Sequence, residues 1–91
     1  MAVREEVREA WDGFLERTKE RRRDGDERFR TAVRIGDHPG HILYRDSEYL
    51  YSDHLSERWI LIGGWSDPAE SLAEAFQFAF DRASVESVMG S

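Results

Sequence analysis

The sequence of 91 residues contains no cysteine, only two prolines and a single lysine among 13 basic residues. Without cysteine the chain cannot form a disulfide scaffold, a thiolate metal site or a cysteine nucleophile. The longest apolar run, Trp59–Ile62, is far too short to span a bilayer. Charged residues near the amino terminus stand where a signal peptide needs an apolar run. We therefore predict a cytoplasmic protein with no membrane span, and no nucleotide or metal motif indicates a cofactor.

Apolar residues make up 40% of the sequence and include eleven aromatic side chains, which is enough material for one buried core. No repeat, linker or low-complexity segment divides the chain, so we predict a single domain over 1–91. The net charge of −6 is uneven: residues 1–37 carry ten basic and ten acidic side chains, and residues 38–91 carry three arginines against nine acids. An acidic carboxyl-terminal half favours a partner with a basic surface.

Two segments have helical periodicity. Apolar residues recur at three- and four-residue steps from about residue 2 to 22, and Gly25 then supplies a left-handed stop. The run Asp67-Pro68-Ala69-Glu70 is typical of a helix start, and apolar spacing continues to about residue 84. We predict that the Asp67 side chain accepts a hydrogen bond from an amide of the first helical turn.

Between the helices the apolar period changes to two, as in strands. One strand starts at Arg28 and is followed by a turn over residues 36–40. A hairpin over 42–51 has Asp46-Ser47 at its tip, and a last strand covers 58–62, although one long strand over 41–51 is an open alternative. The predicted fold is α+β, α-β-β-β-β-α, with an antiparallel meander sheet. The predicted core contains Val7, Trp11, Phe14, Phe29, Val33, Leu72 and Phe76.

The strands are apolar on both faces, whereas a sheet covered on one side usually shows polar residues on the other. Two helices can cover the two faces, one each, which requires no partner; alternatively both helices pack on one face and the other face is an interface. We therefore expect a non-enzymatic protein-interaction module (a small regulator, adaptor or inhibitor) that forms a homodimer. The expected partner-binding residues are Tyr49, Tyr51, Trp59, Leu61 and Phe78.

Two alternatives come from other functional classes. The arginine-rich segment 17–34 is a candidate nucleic-acid surface, although interleaved acids weaken its field; its arginines are Arg21, Arg22, Arg23, Arg28, Arg30 and Arg34. The other alternative is a small enzyme or metal protein that uses His38, His41 and His54, which the predicted register gathers at one end of the sheet. Turns collect histidine for backbone reasons alone, and no ligand spacing matches a known zinc pattern.

Overall fold

The computed structural model describes residues 2–53 and 58–89, with side chains to residue 84. The order of elements is helix, four strands, helix, as the sequence predicts. Their bounds are α1 (Glu5–Arg23), β1 (Arg28–Ile35), β2 (His38–Arg45), β3 (Glu48–Asp53), β4 (Ile60–Gly64) and α2 (Ala69–Met89). The α+β class and the four-strand version of the fold are therefore confirmed, and the alternative with one strand over 41–51 is wrong.

The strands form one antiparallel sheet in the order β1-β2-β3-β4, so each strand pairs with its neighbour in sequence. The turn between β2 and β3 consists of Asp46 and Ser47, both with positive φ (50° and 63°). Positive φ at both central residues is the requirement of a type I′ turn, whose twist matches that of the strands it joins. The predicted tip of this hairpin, and the opposition of Leu43 to Leu50, are confirmed.

Both helices pack on the same face of the sheet. The core cluster contains residues from α1, from α2 and from the strand positions that point toward them. All seven residues of the predicted core are buried. Its centre is aromatic: Trp11 lies 5.3 Å from Phe14, 5.4 Å from Phe76 and 5.7 Å from Tyr49 between ring centroids. This packing leaves the opposite face of the sheet without a helix among the described residues; we call it the open face.

Polar contacts fix the helices to each other and to the sheet. The guanidinium of Arg4 pairs with Asp81 at 2.7 Å, which joins the start of α1 to α2. Arg17 reaches the outer strand β1, where its Nη2 donates to the carbonyl oxygen of Ala32 at 3.0 Å. Neither helix is long and apolar enough to cross a membrane over the residues that the structure describes.

Four local expectations need correction. The last strand, expected over 58–62, is Ile60–Gly64 and includes both glycines. The turn expected over 36–40 is only the pair Gly36-Asp37, and β2 already begins at His38. Gly36 adopts a positive φ of 59°, which allows the chain to reverse within two residues. The following residues, from His38 onward, therefore pair with β1. Within the described residues, the Asp67 carboxylate accepts from the Gly64 N–H at 2.9 Å and not from a first-turn amide. Helix α2 continues past residue 84 to Met89.

Candidate interaction surface on the open face

The open face is built by the alternation of side chains along each strand. In β1, Phe29 and Val33 point into the core, so the exposed Arg28, Arg30 and Arg34 point to the other side. The register then places Leu43 opposite Arg30 on β2. The open face therefore begins, at its β1 edge, with a column of cations.

An apolar row crosses the open face at its middle. Leu43 pairs with Leu50, and Leu50 pairs with Leu61, so one leucine from each of three adjacent strands lies in line. Leu43 and Leu50 are buried, yet neither belongs to the core cluster under the helices. Leu61, on the outer strand β4, is 55% exposed. The apolar row thus ends in an uncovered side chain at the edge of the sheet.

Trp59 joins the apolar row to the cations. Its indole ring is partly buried, and the guanidinium carbon of Arg30 lies 5.4 Å from the ring centroid. That distance is within the range of a cation–π contact. Together with Leu43 and Arg45 they line a shallow recess of about 470 Å³ on the sheet surface. The recess therefore combines an aromatic wall, an apolar floor and a cationic rim.

The electrostatics of the open face are cationic although the protein is acidic. Arg28 lies directly opposite Arg45 across β1 and β2, and Arg45 lies opposite Glu48 on its other side. Like charges directly opposite each other in a sheet destabilise it, and Glu48 offsets only part of that repulsion. Two other acidic groups of the carboxyl-terminal half, Glu70 and Asp81, belong to α2 on the helical side. An acidic partner therefore suits the open face, and the basic partner expected from the sequence suits the helical side.

The five expected partner-binding residues do not share one surface, and the expectation is wrong for Tyr49 and Tyr51. Tyr49 and Tyr51 are fully buried (0% exposed) in the core between sheet and helices. Phe78 is 66% exposed, but it lies on α2 and not on the open face. Only Trp59 and Leu61 belong to the open face. Sequence reasoning missed Arg45, which the same alternation through Leu43 would have placed there.

The six arginines of the nucleic-acid alternative also separate. Arg28, Arg30 and Arg34 lie on the open face, whereas the other three end helix α1. Arg21 packs over the ring of Phe29, 5.7 Å from its centroid, on the core side of the sheet. Of these six arginines, a phosphate backbone on the open face would therefore meet Arg28, Arg30 and Arg34.

The predicted histidine site is not assembled in the described residues. His38 contacts the ring of Phe80 on the helical side at 5.6 Å, whereas His41 pairs with Ser52, three positions further along β2 and therefore on the open face. His54 lies outside the described residues. Among those described, no three histidine, aspartate or glutamate side chains form a group that could hold a metal ion.

Comparison of the chain with protein-family models, with curated proteins and with solved structures gives no match.

Proposed function

We propose that this protein is a cytoplasmic, non-enzymatic interaction module, a small regulator, adaptor or inhibitor, that associates with a second copy of itself through the open face. The observation that carries the proposal is the placement of both helices on one side of the sheet, which leaves the leucine row on the other. An exposed apolar side chain at the end of such a row is typical of a surface that another protein covers. Specific interfaces have an apolar centre and a polar rim.

The charge distribution determines how two copies meet. Strands are spaced about 4.8 Å apart, so Leu61 and the β1 arginines are separated by roughly 14 Å across the sheet. A twofold axis near Leu61 brings the exposed Leu61 side chains of the two copies together at the centre. The two cationic columns then lie at opposite rims, further apart than the Debye length of about 8 Å at physiological salt. A dimer centred on β1 would instead place arginine against arginine.

The test compares two exposed apolar residues on opposite sides of the molecule. Leu61→Glu places a charge at the centre of the proposed interface, and Phe78→Glu is the matched control because Phe78 lies on α2 with a similar exposure. Light scattering should give a dimer mass for the unchanged protein and for Phe78→Glu, and a monomer mass for Leu61→Glu. Trp59→Glu should also dissociate the dimer, with the far-ultraviolet helix signal retained in every variant.

Two outcomes would count against this proposal. One is a monomer mass for the unchanged protein across micromolar to submillimolar concentrations. The other is dissociation by Phe78→Glu but not by Leu61→Glu, since that result would move the contact to the helical side.

A second candidate function, single-stranded nucleic-acid binding, is favoured by one specific observation. The like-charged pair of Arg28 and Arg45 stands beside the Trp59 ring, which already stacks against Arg30. Repulsion between cross-strand cations is relieved by an anion, and an aromatic side chain next to cations is the usual platform for unpaired bases. Phosphates on the strand arginines and a base on Trp59 satisfy both features.

The nucleic-acid candidate is tested by fluorescence anisotropy with a labelled single-stranded oligonucleotide at two salt concentrations. Arg28→Gln and Arg45→Gln should each weaken binding and reduce the magnitude of the salt slope by about 0.7 per lost phosphate contact. Arg23→Gln is the control, because Arg23 is exposed at the end of α1. Equal losses in all three variants would indicate a loss of general charge and would contradict a site on the open face.

A further inference from the structure

A pocket separate from the open face lies at the end of the sheet where the β2–β3 turn meets the end of α1. Its volume is about 550 Å³, which is within the range of pockets for small ligands. It lies between the loop after α1, the β2–β3 turn and the loop after β4. The lining residues are Arg22, Gly25, Asp26, Glu27, Tyr44, Asp46, Ser47 and Trp65.

Backbone hydrogen bonds define the walls of this pocket. At the end of α1, the Gly25 N–H donates to the Arg22 carbonyl at 3.2 Å and the Asp26 N–H to the Arg21 carbonyl at 3.0 Å. This is the Schellman arrangement, and Gly25 takes the left-handed position with a φ of 78°. On the other side the Trp65 N–H donates to the Ser47 carbonyl at 2.8 Å, which ties the loop after β4 to the turn. The walls are thus set by main chain, independently of any ligand.

The floor of the pocket is formed by the half-buried Arg22 and the buried Tyr44. Nε of Arg22 has no hydrogen-bond partner among the described residues. Tyr49 lies behind this floor and does not line the pocket; its ring centroid is 5.0 Å from that of Tyr44, and its side chain is fully buried in the core. Because a guanidinium with an unpaired donor is costly, the Arg22 end of the pocket calls for an acceptor oxygen.

The outer end of the pocket has the opposite chemistry. Asp26, Glu27 and Asp46 contribute three carboxyl groups, and the indole of Trp65 is 54% exposed beside them. Carboxylates next to an exposed indole face favour an organic ammonium group, which gains both ion pairing and a cation–π contact. A bare metal ion is a poorer match, because within the described residues these carboxylates do not converge into a group that could hold one.

We propose that this pocket binds a small zwitterion, with the ligand carboxylate on Arg22 at the floor and its ammonium group among the carboxylates beside Trp65. The floor supplies the guanidinium of Arg22, and the mouth of the pocket supplies negative charge and an aromatic face. A ligand with only one charge satisfies one end and leaves the other unpaired. The site involves no residue of the leucine row, so it does not depend on the proposed dimer.

Three probes with five-carbon chains distinguish a zwitterion site from a site for a cation or an anion alone. The probe 5-aminopentanoate carries both charges, pentylamine only the positive one and pentanoate only the negative one. Binding is followed by nuclear magnetic resonance titration of the indole N–H of Trp65 in the full chain. The zwitterion should bind at least about 10-fold more tightly than either analogue, since one charge-assisted hydrogen bond supplies a factor of that order. Equal affinity for pentylamine and 5-aminopentanoate would overturn the proposal in favour of a plain cation site.

Variants then locate the two ends of the ligand. Asp46→Asn removes one mouth charge and keeps a residue type that tolerates the positive φ of this turn. Arg22→Gln removes the floor cation. Each should weaken 5-aminopentanoate binding about 10-fold or more, whereas Asp37→Asn, in the turn at the other end of the sheet, should leave it unchanged. The proposal fails if 5-aminopentanoate gives no saturable shift with the unchanged protein, or if both pocket variants bind it as tightly as the Asp37→Asn control. Circular dichroism confirms that each variant is folded.

Discussion

Replacing Gly40 by alanine tests the closest packing in the sheet. Gly40 lies in β2 under the ring of Tyr51, and an added Cβ would come within 2.5 Å of the hydroxyl oxygen and 2.8 Å of the nearest ring carbon. The Tyr51 ring is fully buried against Phe76 and Phe80, with centroid distances of 5.4 and 6.2 Å, so it cannot move aside into solvent. Overpacking of this kind costs about 1–3 kcal/mol in the free energy of unfolding. For a domain of this size the melting temperature should fall by roughly 4–24 °C.

Chemical denaturation followed by circular dichroism measures the effect of Gly40→Ala directly. The matched control is Gly64→Ala, because a Cβ there meets only ordinary contacts, the nearest being the Ser47 carbonyl oxygen at 3.7 Å. The control should change the free energy of unfolding by no more than about 0.5 kcal/mol. Combining Gly40→Ala with Tyr51→Leu should cost less than the sum of the two single changes, since the smaller side chain frees the space. Equal stability of the two alanine variants would refute the packing argument.

Three further changes have defined expectations. Phe76→Ala should lower the free energy of unfolding by about 3–5 kcal/mol in denaturant titrations, because a fully buried ring leaves a cavity; a loss below about 1 kcal/mol would contradict its central place in the core. Asp67→Ala should cost about 1 kcal/mol through loss of the Gly64 bond, and hydrogen exchange should show faster exchange at the Gly64 amide. Burial raises the pKa of Tyr51 above its ordinary value of 10.0, and burial likewise raises the pKa of Tyr49. The unfolded chain therefore releases these protons first, so stability should be complete below pH 10 and fall above it. In spectrophotometric titration Tyr51→Phe should shift alkaline unfolding to higher pH, and an unchanged midpoint would exclude Tyr51 as its cause.

The element order and the hairpin register were predictable because several local signals agree. The apolar residues on the two sides of Asp46-Ser47 mirror each other, and only one register places leucine opposite leucine. The helical stripe around Trp11 has a period that a strand cannot satisfy. Where helix or strand propensity, apolar pattern and turn chemistry indicate the same structure, the sequence is sufficient to predict the element and its register.

The candidate site was less predictable, because alternation separates two faces without saying which one a helix covers. Tyr49 and Tyr51 alternate with Leu50, and Leu50 pairs with Leu61 across β3 and β4, so the tyrosines and Leu61 lie on opposite faces. Neither the β3–β4 register nor the covered side was visible in the sequence pattern. The residues His38 to Gly40 have turn-forming composition, yet they pair with β1 because Gly36 and Asp37 complete the turn. The zwitterion pocket joins three loops that are distant in sequence, and no local pattern predicts such a junction.

The bond from Arg17 to the Ala32 carbonyl has a consequence for how far association can proceed. Outer strands offer unpaired main-chain groups on which further chains can add, and this is how ordered sheets grow into fibrils. On β1 a side chain of the same molecule already occupies one of these acceptors, and the column of arginines beside it repels an incoming copy. Growth at that edge is therefore opposed twice. The proposed dimer at Leu61 would then be a closed assembly, and raising the protein concentration should fill dimers without starting polymerisation.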